Sequence, residues 1–181
     1  MTTKPPELDE SELVAQLVRG DPRAFDLVVE QYQLRVAGLA NRLLGWTDAT
    51  DDVVQDVFVT VLDRVSSFEG RSSLWTWLAR ITINRCRTWQ RRTWLRRKLQ
   101  SVSGTLLDRQ AETPASQPQL IRDETAAEVR TAVRALPAKY REVIVLRYLE
   151  ELPIEEVAEL LELSRGAVDA NSPPDLSICN E

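Results

Sequence analysis

Residues 48–98, DATDDVVQDVFVTVLDRVSSFEGRSSLWTWLARITINRCRTWQRRTWLRRK, decide the fold. Val54, Val57, Phe58, Val61, Leu62 and Val65 recur at three- and four-residue intervals, the period of one apolar helix face. Carboxylates from Asp48 to Asp52 precede them, where they suit the positive end of a helix dipole. After a loop from Ser66 to Ser73, the spacing of Leu74, Trp77, Leu78 and Ile81 predicts a further helix that ends in the 90s. Phe68 to Lys98 also holds four of the five tryptophans and nine Lys/Arg, with no acid after Glu69. Arg and Lys offset phosphate charge, and flat aromatic faces take up bases that have left the stack. The composition points to nucleic acid.

Outward from this stretch the helical period continues in both directions. Leu13, Leu17 and Val18 predict a short helix ending at Gly20; Asp21-Pro22 then offers a cap and a proline at the first helical position. The helix that follows runs to about Leu44 and stops at Gly45. On the other side, residues 100–119 lose the period and gain Ser, Pro, Gln and Gly, as a flexible linker does. Helices follow over 123–135 and 138–150, and from Pro153 with Ile154, Val157, Ala158 and Leu161. Leu163-Ser164 reads as a turn and cap before RGAVDA. No strand or internal repeat is legible. The expected class is all-α: two small helical domains over 11–98 and 123–170, a linker over 99–122, a disordered N-terminus over 1–10 and an atypical tail over 171–181.

The whole composition narrows the function. With 181 residues, 43% hydrophobic and 28% charged, the chain has a folded composition without an apolar run of bilayer length. MTTKPPELDE lacks the charged-then-apolar pattern of an export signal, so the cytoplasm is the expected location, without membrane insertion. The absence of histidine and the wide separation of Cys86 and Cys179 argue against a metal centre or histidine-based catalysis. No nucleophile-base pair or phosphate loop appears, so no enzyme and no cofactor is expected. The net charge of −5 hides acidic flanks around a basic middle.

At about 100° per residue, Arg80, Asn84, Arg87 and Arg91 share one face of the helix that begins near Leu74. Arg clamps phosphate or a guanine edge and Asn pairs with an adenine edge, so this face can both position and read. Trp77 borders the apolar stripe, where it either packs in the core or wedges against DNA. Trp75 lies off the stripe and is expected to be exposed. Trp89 and Trp94 receive no role.

Three blocks, in this order and separation, carry a family resemblance. DATDDVVQDVFVTVLDRV and FEGRSSLWTWLARITINRCRTWQRR are followed by LPAKYREVIVLRYLEELPIEEVAELLELSRGAV, which has helix-turn-helix rhythm. From Ser11 to Ala170 the chain resembles bacterial RNA polymerase sigma factors of the extracytoplasmic-function (ECF) group. The resemblance implies a region 2 domain for core binding, minus-ten recognition and melting, and a region 4 domain for the minus-thirty-five element. Asp52, Gln55 and Asp56 fall where the family docks on the clamp helices of the largest subunit of RNA polymerase core. Ser72 lies in the loop that takes a flipped base, stabilising it against an unstacking cost of a few kcal/mol. Arg80, Asn84 and Arg87 match upstream minus-ten contacts, and Trp77 matches an aromatic at the melting fork. Trp75 and Arg91 flank them, while Ser164 and Arg165 open the second reader. The implied partners are polymerase core, promoter DNA and an anti-sigma factor.

One departure bears on the second reader. The family's recognition helix continues for several basic turns, whereas here NSPPDLSICNE follows Ala170 and Pro173-Pro174 stop a helix. Two turns with Arg165 as their one base, balanced by Asp169, are expected to bind duplex weakly. The tail reads as a frameshifted or truncated end, or as a natural variant. Two alternatives stand beside a transcription-initiating sigma factor. One is a non-initiating module that holds core or an anti-sigma factor; the other is a dimeric helix-turn-helix regulator, against which the short last helix counts.

Overall fold

Asp21 and Gly45 bracket the helix around which the first unit is built. The computed structural model describes residues 10–102 and 124–172. Helix α1 (Glu10–Val18) passes into α2 (Pro22–Leu44) through Gly20. The Asp21 carboxylate accepts the Arg23 N–H at 2.9 Å, and Pro22 occupies a position whose N–H would have no helical partner. At the far end Gly45 turns left-handed, with φ 80°, and its N–H reaches the Asn41 carbonyl. This is the conformation that glycine adopts without a Cβ penalty.

Helix α3 (Thr50–Arg64) is followed by a 3-10 turn (Val65–Ser67) and by α4 (Leu74–Val102). The Ser73 hydroxyl accepts the Thr76 N–H at 3.1 Å. The Glu10 carboxylate accepts the Leu74 N–H at 2.7 Å. Two first-turn donors that α4 cannot satisfy internally thus find partners. Glu10, expected in a disordered N-terminus, is helical and serves as a remote cap; residues 1–9 lie outside the described residues.

Helices α2, α3 and α4 pack pairwise, and Val28, Val36, Leu39, Val57, Val61, Leu74 and Leu78 are fully buried between them. Because α4 is covered from two sides, its buried arc is wider than the Leu74, Leu78 and Ile81 stripe. Ala79, Thr82, Ile83 and Cys86 belong to it. On α3 the buried face centres on Val53, Val57 and Val61; Leu62, expected on that face, lies about 100° beyond Val61 and is 53% exposed. The linker expected from residue 99 begins later, because α4 stays helical to Val102.

The second unit contains α5 (Glu124–Ala135), α6 (Ala138–Ile144), a π turn (Val145–Leu149), α7 (Ile154–Leu161) and α8 (Arg165–Ala170). Val143, Val145, Leu146, Val157, Leu160, Leu161 and Val168 form its interior. The helical run expected over 138–150 is continuous to Leu149 but widens into the π turn over its last five residues, and Glu151 follows with a positive φ of 56°. Glu162 also turns left-handed and closes α7, after which the Ser164 hydroxyl accepts the Ala167 N–H at 3.2 Å and starts α8. No strand occurs among the described residues. The tail from Pro173 and the linker over 103–123 lie outside them.

The two units touch. Helix α7 lies against α4, while α5, α6 and the π turn lie against α2. Arg141 joins two helix ends: its guanidinium donates to the carbonyls of Val133, Arg134 and Leu136 at the close of α5 and to that of Leu43 near the close of α2. Carbonyl-rich helix ends favour a cation. Burial, with the Arg134 charge beside it, lowers the Arg141 pKa from its usual value.

Candidate nucleic-acid and polymerase-binding surfaces

The exposed side of α3 combines charge with apolar area. Asp52, Gln55 and Asp56 are all exposed on its first two turns. Val59 and Leu62, 58% and 53% exposed, continue the same face toward the C-terminal end. Exposed carboxylates alone bind weakly, whereas an acidic rim around apolar side chains has the make-up of a protein interface. The sequence pattern hides this, because Leu62 also fits the apolar helix period.

The Ser66–Ser73 loop turns at Gly70, with φ 68°. Ser72 is half-exposed within it. Phe68 leaves the loop to pack on Trp77, with ring centroids 5.2 Å apart. Trp77 is half-buried at the edge of the core, between the two placements open to it from sequence. Trp75 corrects the expectation of exposure. It is 6% exposed, its ring lies nearly parallel to that of Tyr32, and the Arg35 guanidinium sits 3.8 Å from its centroid. Position 75 falls in the middle of the wide buried arc of α4, so this tryptophan packs α4 on α2 and is not available to DNA.

Arg80, Asn84, Arg87 and Arg91 do line one side of α4, but they meet different neighbours. Asn84 and Arg91 are exposed. Asn84 also lines an open polar cavity of about 190 Å³ with Thr60, Arg64, Ile81, Arg85 and Thr88. Arg85 is held at its edge by a 2.9 Å hydrogen bond from Nε to the Thr60 hydroxyl. Arg80 pairs with Glu159 of α7 at 2.8 Å. Arg87 donates from Nε and Nη2 to the two carboxylate oxygens of Glu142, at 2.9 and 2.7 Å. That two-point hydrogen bond to Glu142 raises the pKa of Arg87. In the second unit Ser164 caps α8, and Arg165 pairs with Glu155 at 2.7 Å, both side chains being exposed.

Comparison with known proteins gives these faces a context. Residues 28–96 match sigma-70 region 2, and residues 126–171 match sigma-70 region 4. The ECF RNA polymerase sigma-E factor of Haemophilus influenzae is 32% identical over 171 residues, spanning 90% of this chain and 88% of that protein. The chain belongs to the ECF sigma factors. The Escherichia coli K12 sigma-E factor is 30% identical, covering 90% and 87% of the two chains. Among solved structures, CnrH in complex with the cytosolic domain of CnrY has a TM-score of 0.61 and 28% identity, over 90% of this chain and 88% of that one. An ECF sigma factor binds RNA polymerase core and directs promoter recognition, and this is the work of the present chain. No helix among the described residues is long and apolar enough to cross a membrane.

Proposed function

We propose that this sigma factor divides its work among the surfaces described above. The exposed face of α3 docks on basic residues of the polymerase clamp helices through Asp52, Gln55 and Asp56, with Val59 and Leu62 supplying the apolar area. Arg80, Asn84, Arg87 and Arg91 read and position the upstream part of the minus-ten element. Trp77 faces the melting fork, and the loop that carries Ser72 receives a flipped base. Ser164 and Arg165 present α8 to the minus-thirty-five duplex. The functional division is a region 2 unit over 11–102, a connecting segment and a region 4 unit over 124–172. Trp75 is left out of the DNA contacts because its ring is buried against Tyr32.

The observation that carries this division is the chemical contrast between neighbouring helices. The outer side of α3 has acids around apolar residues, whereas that of α4 has guanidiniums, an amide and no acid. The first suits a basic protein surface and the second suits nucleic acid. The site of action is the cytoplasm, where polymerase core and promoter DNA meet. A partner such as the cytosolic domain in the CnrH complex supports an anti-sigma factor for this chain as well.

The test is replacement of Arg80, Asn84 and Arg87 together by Ala in holoenzyme. Open-complex formation on a cognate promoter is expected to be lost while co-purification with core is retained. Unchanged open complexes would sink the assignment of α4.

A further inference from the structure

Two helix beginnings meet on one carboxylate. Glu10 lies in the first turn of α1, and its Oε1 accepts the N–H of Leu74, the first residue of α4, at 2.7 Å. Both helices bring their positive ends here, so the charge between them is favourable to each. A neutral side chain would leave like partial charges facing one another. A hydrogen bond to a carboxylate is also stronger than one between neutral groups. Helix α4 already has a cap of its own in Ser73, whose hydroxyl accepts the Thr76 N–H at 3.1 Å. The bond from Glu10, 64 residues away, adds what local capping cannot. It ties α1 to the point where the preceding loop enters α4.

The other end of the same loop also lies against α1. The 3-10 turn Val65–Ser67 packs on that helix, and Leu13, Leu17 and Val65 are all buried. Helix α1 thus spans the loop from Ser66 to Ser73, touching the chain where it leaves α3 and where it joins α4. Between these ends the polar contacts are local. The Ser67 hydroxyl donates to the Arg64 carbonyl at 2.7 Å, and Glu69 pairs with Arg71 at 2.6 Å with both side chains exposed. Exposed pairs of this kind hold little. Phe68 gives the loop its apolar contact, on Trp77; beyond it Gly70 turns left-handed and Ser72 is half-exposed. The next anchor after Ser72 is therefore the capped start of α4. Burial raises the Tyr32 pKa, and the Glu10 charge raises it further. The same carboxylate thus stands close to the Tyr32–Trp75 stack beneath the first turn of α4.

We infer that Glu10 is a positioning residue for strand opening: through the Leu74 N–H it holds the 66–73 loop in the shape that receives an extruded base. The inference rests on the proposed role of the loop that carries Ser72. A loop already shaped for its base needs less ordering when the base arrives, and the opened strand is held more tightly by that difference. Glu10 itself touches no DNA in this scheme. Its loss leaves the α2–α4 core in place and loosens the loop.

Holoenzymes with Glu10→Ala and Glu10→Gln test this beside the unmodified one. The probe is a cognate promoter with 2-aminopurine in the minus-ten element and either an intact or an abasic nucleotide at the flipped position. On the intact promoter Glu10→Ala is expected to lower the open-complex equilibrium by about tenfold or more, the size of one hydrogen bond to a charged group. Glu10→Gln keeps an oxygen acceptor without the charge and is expected to fall between. On the abasic promoter there is no base to seat, so the unmodified and Glu10→Ala holoenzymes should open it to the same extent. Co-purification with core is expected to be unchanged in both variants. An equal penalty on the two promoters would show that Glu10 acts on the fold and not through the loop, and would overturn the inference. Normal opening of the intact promoter by Glu10→Ala, or loss of core binding in proportion to opening, would also overturn it. Glutamine no better than alanine would do the same, by removing the hydrogen bond from the effect. Failure of the underlying reading of the loop is seen in the unmodified protein alone, which would then open the abasic and intact promoters equally.

Discussion

Substitution of Gly45 by alanine measures how firmly the two units are joined, because two costs fall on one atom. The first is conformational: φ is 80° at this position, and an L-residue in left-handed geometry costs about 1–2 kcal/mol. The second is a collision, since a Cβ here would lie 2.9 Å from Nη1 of Arg141. The far end of an arginine ordinarily moves aside at little cost. This one is fixed by hydrogen bonds to four carbonyls, and Nη1 is the donor to Leu43. Loss of one hydrogen bond made by a charged group adds about 1.5–3 kcal/mol. The expected total is about 2.5–5 kcal/mol, or a fall in Tm of roughly 5–20 °C for a protein of this size. Gly70 supplies the internal control. It also has a positive φ, 68°, but a Cβ there meets nothing within 4 Å. Gly70→Ala should therefore show only the conformational cost. Urea denaturation of both variants decides the matter, and equal losses would refute the argument by showing that Arg141 yields freely.

Other consequences are open to direct measurement. Asp52→Lys with Gln55→Lys should weaken co-purification with polymerase core, and Val59→Asp alone should do so by a comparable amount; retained core binding in the Val59 variant would remove the apolar part of the α3 interface. Burial pushes the Cys86 thiol up to about 12, with the Glu142 charge adding to the effect. In a Cys179→Ser background, labelling of Cys86 at neutral pH should follow the rate of unfolding, and rapid labelling of folded protein would contradict its burial. The folded pKa of this thiol lies above its ordinary value of 9.0, so its contribution to stability is fully present below about pH 9 and is lost as pH rises toward 12. Cys86→Ala should reduce the steepness of that alkaline decline, as read from urea midpoints across the range.

Local signals in the sequence located most of the helices because their punctuation is chemical. Asp21-Pro22, Gly45 and Ser164 each do the capping or stopping that their side chains favour, and the structure uses all three. Burial was less legible where one helix has several neighbours. A single-stripe wheel puts Trp75 outside the core, but α4 is enclosed by α2 on one side and α3 on another, which carries the buried arc past that position. Leu62 failed in the opposite direction: a residue at the rim of an apolar period serves an outer surface as readily as an inner one. The end of α4, at Val102, lies beyond the expected linker start because no Gly or Pro marks residue 99, and nothing of that kind marks the π turn inside the helical run after Ala138. Least visible of all was the pairing of Glu142 with Arg87 and of Glu159 with Arg80. A glutamate on a helix looks the same whether it faces water or a guanidinium 55 or 79 residues away.

The π turn over Val145–Leu149 has a bearing on how the region 4 unit is to be compared with its relatives. A π turn accommodates one residue beyond the α-helical repeat, and so offsets the angular phase of whatever follows by about 100°. Position-by-position correspondence upstream of Val145 does not carry through to Glu150 unless the relative holds the same insertion. A one-residue gap in this segment, which would pass as noise in a pairwise comparison, therefore changes which side of the chain Glu150 occupies. Variation in the joining of regions 2 and 4 across ECF sigma factors can then arise from an insertion or deletion without any substitution of the charged residues themselves.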